Sequence, residues 1–400
     1  MPDVSEIRNE LDVSSLEKYL TNLPQDIIKG VSIPQFQSPF QVSQFRYGQS
    51  NPTYLVVDAS GAHYVLRRKP SANSKLALKT AHAIEREFYI LLGISKSNEN
   101  GDSEKAVPVP KVHLLCEDES VVGAVFYMME YIDGRLIKRP DLYGVEAKEH
   151  EALWKDVMRT ISAIHSVDVH ELVKHLPAKH FPQFQPDRLA KIKNGPSYFQ
   201  RQIKTLSAVA ATQAKVVKPI PDMEAICKWT LQHAPQDPDE LTLVHGDCKI
   251  DNFLFHPTEP RVVAVLDWEL CTFGHPMFDL ANFFQPYILP VQFNTIMFQP
   301  DPVTIGKEDP QLSSTVKDLL YLYQKTLGHQ WRDNDPKNNP IDLWVVGSVF
   351  GLLRLAVISQ GIAMRVAKGT ASSGSAALFA ELYFPLSELA VEMISPGEKL

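Results

Sequence analysis

One stretch constrains this chain more than any other: Leu243-Val244-His245-Gly246-Asp247-Cys248-Lys249-Ile250-Asp251-Asn252. A short apolar β-like run ends in a histidine and an aspartate, and an asparagine follows five positions after that aspartate. A second β-like run, Val262 to Leu266, ends in Asp267-Trp268, with Asp267 twenty positions beyond Asp247. Short loops at strand ends that carry Asp and Asn gather hard oxygen ligands within reach of one another. The plain alternative is a turn in which Asp247 and Asn252 only cap local backbone. Chance assembly of the whole register is expected about once in thousands of chains.

Phosphoryl transfer is the chemistry such a set can run. It needs a carboxylate at the attacking hydroxyl and oxygen ligands for the magnesium carried by the nucleotide phosphates. Asp247 is accordingly expected to orient or deprotonate the hydroxyl of a small-molecule alcohol. Asn252 and Asp267 are expected to hold Mg2+ on ATP. Catalysis would be positioning and charge neutralisation, without a covalent intermediate.

The totals suit such an enzyme. Four hundred residues exceed one compact core, so two domains are the default. A net charge of −7 and a pI near 6.0 argue against electrostatic capture of nucleic acid or anionic lipid. Cys116, Cys227, Cys248 and Cys271 are widely spaced and form no CxxC pair, which points away from disulfides or zinc and towards a reducing compartment, the cytoplasm first. The start Met1-Pro2-Asp3-Val4 lacks the apolar core of a secretory signal, and Glu398-Lys399-Leu400 is only distantly similar to a peroxisomal SKL ending. The apolar stretch Trp344 to Leu353 runs straight into Arg354, which predicts a buried helix and no bilayer span.

Periodicity divides the chain. Leu16, Tyr19, Leu20 and Leu23 predict a leading helix over 13–24, closed by Pro24. Thr53 to Asp58 and Ala62 to Lys69 predict a hairpin across Ala59-Ser60-Gly61, and Ala81 to Leu92 a helix with Glu87 beside its apolar face. The polar run at 95–106 reads as a mobile surface insertion. Strands around Lys111 to Cys116 and Val121 to Met129 complete a β-rich part. Beyond Gly134 helical periodicity dominates, notably over Trp154 to Ile164 and Leu343 to Val366.

The loop resembles the catalytic loop of the aminoglycoside phosphotransferase and choline kinase family, small-molecule relatives of protein kinases. Gly246 stands where protein kinases have the Arg of H-R-D, and Asp267-Trp268-Glu269 stands for D-F-G. Gly274-His275-Pro276-Met277-Phe278-Asp279-Leu280-Ala281 follows, with no A-P-E and no room for an activation loop. The resemblance implies an α+β, two-lobed protein-kinase-like fold. A small N-terminal antiparallel β lobe with one main helix (1–133) would bind the nucleotide. A larger, mainly helical C-terminal lobe (134–400) would carry catalysis and the acceptor. It also implies supporting roles for His245 and for Asp279 as a brace, and makes His165 structural.

In the small lobe, Tyr64-Val65-Leu66-Arg67 occupies the place of V-A-I-K, so Arg67 replaces the phosphate-binding lysine, with Lys69 as the substitute candidate and Glu87 as the ion-pair partner. Arg46 to Asn51 would cover the phosphates through backbone donors and Ser50. Adenine would bond to backbone around Glu130 to Ile132.

Further blocks resemble the kinase-like N-terminal segment of acyl-CoA dehydrogenase fusion proteins: Phe45 to Tyr54, Tyr64 to Pro70, Ala81 to Phe88, Ala264 to Ala281 and Arg354 to Ile362. That implies a hydroxylated acyl-CoA as acceptor, with Arg354, Gln360 and Arg365 as candidate acceptor-site residues. An amino alcohol such as choline, a sugar or an aminoglycoside is the alternative acceptor, and a choline site would need an aromatic cage in which Trp268 could be one wall. The alternative of another class is a non-catalytic nucleotide-binding scaffold.

Overall fold

The computed structural model describes residues 4–24, 28, 30–46, 51–70, 84–298, 303, 305–307, 310–371 and 376–394. The chain forms two compact units. The first comprises Met1–Arg135, Val167–Gln185 and Leu254–Leu270, and the second Leu136–Ser166, Pro186–Phe253 and Cys271–Leu400. Against the contiguous division expected at 133/134, two later segments return to the first unit. Local contacts explain both. The backbone N–H of Val265 donates to Pro108 O at 2.8 Å, and the short helix at 169–173 packs on the helix at 84–100.

In the first unit, among the described residues, six strands form one antiparallel sheet in the order β1-β2-β3-β4-β6-β5. They are β1 (Val4–Ser5), β2 (Gln41–Phe45), β3 (Thr53–Val57), β4 (His63–Arg68), β5 (Val112–Cys116) and β6 (Phe126–Glu130). Side chains alternate between its faces. Tyr54, Val56, Tyr64, Leu66, Phe126 and Met128 join the core that α1 (Val13–Thr21) closes with Leu16 and Leu20. Arg67 and Tyr127 are cross-strand partners on the opposite face, the face nearer α2 (Ile84–Asn100). The β3–β4 turn is tied by Asp58, whose Oδ1 accepts from Ser60 N at 2.9 Å and Ala62 N at 3.1 Å.

The polar stretch expected as a mobile insertion at 95–106 is instead the end of α2 followed by a 3-10 turn at Ser103–Lys105. Its polar residues cover the exposed side of a helix whose other side, through Ile94 and Ser97, is buried. Asn98 then pins the chain beyond: its Nδ2 donates to Val107 O at 2.8 Å and its Oδ1 accepts from Val107 N at 3.1 Å.

The chain leaves the first unit within β7 (Arg135–Leu136). The second unit is mostly helical: α3 (Ala147–His165), then, after α4 (Val169–Val173) in the first unit, α5 (Pro186–Lys193), α6 (Tyr198–Gln213) and α7 (Met223–His233). Strand β8 (Thr242–Val244) precedes β9 (Phe253–Phe255) and β10 (Val262–Val265), whose hairpin returns to the first unit. Strand β11 (Thr272–Gly274) then pairs antiparallel with β8, Thr272 opposite Val244. Helices α8 (Met277–Phe283), α9 (Gln285–Ile288), α10 (Val291–Met297), α11 (Pro310–Leu327), α12 (Trp344–Ala367), α13 (Ala376–Ala380) and α14 (Tyr383–Ile394) follow.

Helix α12 is the axis of this unit, flanked by α14, α13, α8, α6 and α7. By length and composition it could cross a membrane, yet 67% of its most apolar window is buried inside the protein. Gly347 lets α8 approach it, since a Cβ there would stand 2.7 Å from Met277 Cε. Beside α8, His275 is fully buried against Phe199 and Trp331. Its Nδ1 accepts from Met277 N at 3.1 Å, so Nε2 carries the proton and donates to Asn338 Oδ1 at 3.0 Å.

Burial holds the His275 imidazole neutral, with its pKa lowered from 6.5 to about 3 although the Asn338 bond pulls the other way. The folded state therefore binds fewer protons here than the unfolded state between those values. His275 contributes stability that is complete above pH 6.5 and is lost as pH falls towards 3. Each pH unit in that window should remove up to about 1.4 kcal/mol through this one group. Urea unfolding between pH 6 and 4.5 should show a slope that is shallower by about one proton in His275→Gln, and equal slopes would exclude His275 as its source.

Candidate active site

The loop leaving β8 owes its shape to a backbone conformation that side chains rarely adopt. Gly246 lies at φ +86°, where a Cβ would be strained, which is why glycine fits between His245 and Asp247. Asp279 on α8 sits fully buried beneath it. Its Oδ2 accepts from His245 N at 2.6 Å and its Oδ1 from Gly246 N at 2.9 Å. His165, at the end of α3, brings Nε2 to 3.2 Å from Asp279 Oδ2 and Nδ1 to 2.8 Å from the Tyr323 hydroxyl. Burial alone would raise the pKa of Asp279, but the bond and charge of His165, the nearby His245 and the Gly246 N–H hold it below the usual carboxylate range. The brace stays ionised in the core.

Above it, the Asp247 side chain is 26% exposed. Asp247 N donates to His245 Nδ1 at 3.3 Å, which gives the buried histidine a backbone partner within the loop. Asn252 Nδ2 donates to Asp247 O at 2.8 Å and lies 3.4 Å from Asp247 Oδ2. This turns the amide so that its oxygen is the end left to meet a cation. Lys249 Nζ lies 3.4 Å from Asp247 Oδ2 and 3.5 Å from Asp251 Oδ2. Cys248 is buried, and burial, with the charges of Asp279 and Asp247, pushes its thiol well above the normal range. It is a packing residue.

The first unit builds a separate charged cluster. Arg67 Nη1 bonds Glu87 Oε1 at 2.5 Å, and Arg67 Nη2 lies 3.4 Å from Asp267 Oδ1. Glu87 also accepts from the backbone N–H of Trp268, so α2 is tied to the segment that carries Asp267. Burial would lower the pKa of Arg67, but Glu87 first, then Tyr127, Asp267 and Glu269, raise it, and the guanidinium stays charged. A planar fork can serve Glu87 and Asp267 at once, which a single ammonium cannot match in geometry. Asp267 is at φ +66°, a left-handed position that aspartate tolerates better than most residues, and its side chain is 35% exposed. Asn51, fully buried, donates to Glu269 Oε2 at 3.2 Å.

Several expected partners take other places. Lys69 lies just past β4, where strand alternation no longer governs it, and pairs with Glu85 instead of Glu87. Ser50 falls outside the described residues, as does the tail 398–400. Glu130 N–H donates to Lys111 O at 2.8 Å and its Oε2 accepts from Lys111 N, so its own donor is committed within the sheet, whereas Ile132 follows the end of β6. Trp268 is 1% exposed with Nε1 on Val265 O at 2.9 Å, which removes it as a cage wall.

Of the three acceptor candidates, Arg354 alone meets the loop that carries Asp247, through Gly246 O at 3.1 Å. Gln360 is fully buried with Nε2 on Lys218 O at 3.0 Å, so it is a packing residue and no acceptor contact. Arg365 is exposed eleven residues on, about 16 Å along the helix from Arg354. Sequence reasoning passed over Lys249 and Glu269 although both stood inside the motifs, their charge being the available signal. Asn51 was expected only as the end of a phosphate-covering loop, and nothing in the sequence marked its bond to Glu269, the Glu85 pair with Lys69 or a role for Asn282.

Comparison with known proteins identifies the family. The profile of the phosphotransferase enzyme family matches residues 41–296. Acyl-CoA dehydrogenase family member 10 of Mus musculus is 34% identical over 396 residues, covering 98% of this chain and 32% of that protein. The chain thus spans about a third of that relative's length. Among solved structures, a candidate aminoglycoside phosphotransferase of Ralstonia eutropha is 32% identical with a TM-score of 0.68, covering 96% of this chain and 98% of that one. The amicoumacin kinase hAmiN, solved with AMP-PNP, Ca2+ and Ami, shares the fold at a TM-score of 0.53 and 15% identity over 91% and 92% of the two chains. This chain belongs to the phosphotransferase enzyme family, and it is a small-molecule kinase.

Proposed function

We propose that the chain transfers the γ-phosphoryl group of ATP to the hydroxyl of a small molecule, a hydroxyacyl-CoA or related hydroxy acid being the acceptor class we favour. The observation that carries the reading is Asp247: a part-exposed carboxylate on a loop fixed from below by an ionised Asp279, with Lys249 as a countercharge. Asp247 accepts a hydrogen bond from the acceptor hydroxyl and takes its proton as the oxygen bonds to phosphorus and ADP departs.

The oxygen donors fit magnesium. The Asn252 amide has its nitrogen committed to Asp247 O, and Asp267 offers a part-exposed carboxylate, which is the hard-ligand chemistry such an ion selects. When bound, the ion neutralises charge on the β- and γ-phosphates. The AMP-PNP and Ca2+ of hAmiN support a nucleotide and a divalent cation in this fold. In the first unit Arg67, oriented by Glu87, is the residue for the phosphates, and Lys69 is held by Glu85. Adenine meets backbone around Ile132, since Glu130 N–H serves Lys111. The acyl-CoA element rests on the relatives' names, and the burial of Trp268 weakens the choline alternative.

Asp247→Asn should lower kcat by about 10²–10⁴-fold while ATP affinity, measured by calorimetry, stays within about twofold. Full turnover in that variant would sink the assignment. For Asp267→Ala the expected loss is in magnesium-dependent ATP binding, and an unchanged titration with metal refutes the ligand role. Phosphate transfer screened over hydroxyacyl-CoAs, choline and sugars should favour the thioesters. A preference for either other class removes the acyl-CoA element and leaves the kinase.

A further inference from the structure

Six backbone polar groups of residues 245–248 have hydrogen-bond partners. On the N–H side, Asp279 takes His245 and Gly246, and His245 Nδ1 takes Asp247. On the carbonyl side, Asn252 holds Asp247 O. The two carbonyls flanking it are held by a pair of side chains from other helices. Arg354 Nη2 donates to Gly246 O at 3.1 Å, and Asn282 Nδ2 donates to Cys248 O at 2.7 Å.

These two holders are joined, because Arg354 Nη1 donates to Asn282 Oδ1 at 2.9 Å. That bond also orients the Asn282 amide, leaving its nitrogen as the end that faces the loop. The guanidinium lies over the Phe278 ring, 5.1 Å from its centroid, which fixes its plane. Helix α12 supplies Arg354 and α8 supplies Phe278 and Asn282, so the clamp links the packing of two core helices to three residues of loop.

We propose that Arg354 is a positioning residue: with Asn282 it fixes the Gly246–Asp247 peptide plane and, one residue beyond Asp247, the Cys248–Lys249 plane, and through them the direction of the Asp247 carboxylate. The proposal rests on the phosphotransfer reading of Asp247 and moves Arg354 from acceptor binding to support. A guanidinium with two donors on protein oxygens and one face on a ring is built to hold the loop.

Arg354→Met keeps the stem over Phe278 and removes the donors, Arg354→Lys keeps the charge alone, and Asn282→Ala removes the second holder. Hydrogen–deuterium exchange on the full chain should accelerate about tenfold across 245–252 in Arg354→Met and Asn282→Ala, with the other α12 amides unchanged. Arg354→Lys, the variant most certain to fold, should fall between them and the unaltered chain. In steady-state transfer, kcat should fall about 10–100-fold while KM for ATP and for acceptor stays within about twofold. A raised acceptor KM with unchanged loop exchange would instead assign Arg354 to acceptor binding and overturn the proposal. Unchanged exchange in both Arg354→Met and Asn282→Ala overturns it as well. Asp247→Asn, in contrast, should lose turnover with loop exchange intact. Exchange needs no turnover, so an unaltered chain that moves no phosphate counts against the phosphotransfer reading alone.

Discussion

A carboxylate buried in a protein core survives as an ion only if donors replace the water it has lost, and Asp279 is supplied with them on every side. Two come from the backbone of the loop at His245 and Gly246 and one from His165, itself anchored on Tyr323. The arrangement works in both directions. Asp279 is stabilised by the loop, and the loop is bent around Asp279, with Gly246 accepting the left-handed conformation that this bend demands. Removing the carboxylate would leave two buried N–H groups without partners, at about 1–3 kcal/mol each. The geometry of Asp247, Asn252 and Lys249 is downstream of that one interaction.

The first unit solves a related problem with the opposite charge. Arg67 is buried on a sheet face and would be intolerable there without Glu87, which is more deeply buried still. Because the guanidinium is a fork, its second arm reaches Asp267 as well, and Glu87 in turn holds the Trp268 backbone. An arginine at a position where protein kinases use lysine is thus explained by geometry. It lets one side chain organise both the α2 carboxylate and the acidic strand end.

How much of this could be read from sequence depended on how local each feature was. Strand alternation set Tyr64 and Leu66 against Val65 and Arg67, and the hairpin followed from its turn chemistry. The polar run at 95–106 misled because polarity was read as loop, when it was the solvent side of a helix whose other side is buried. Gln360 misled for the converse reason. A polar residue on a long apolar helix looked functional, and its partner, Lys218 O, lies 142 positions away. Lys69 was assigned by strand alternation beyond the point where the strand ends.

By itself the sequence pointed to the family, to Asp247, Asn252 and Asp267 in one register as the proposed chemical set, and to Arg67 and Glu87 as a pair of opposite charge. These are legible because the spacing of residues along a short loop or strand limits where their side chains can go. Only the tertiary structure decided which groups hold that set in place. Asp279 beneath the loop, Arg354 and Asn282 above its carbonyls and Asn51 on Glu269 are hydrogen-bond partners brought together by helix and sheet packing. A hydrogen bond needs its two atoms within about 3 Å and well aligned, a condition set by packing that no periodicity along the chain encodes.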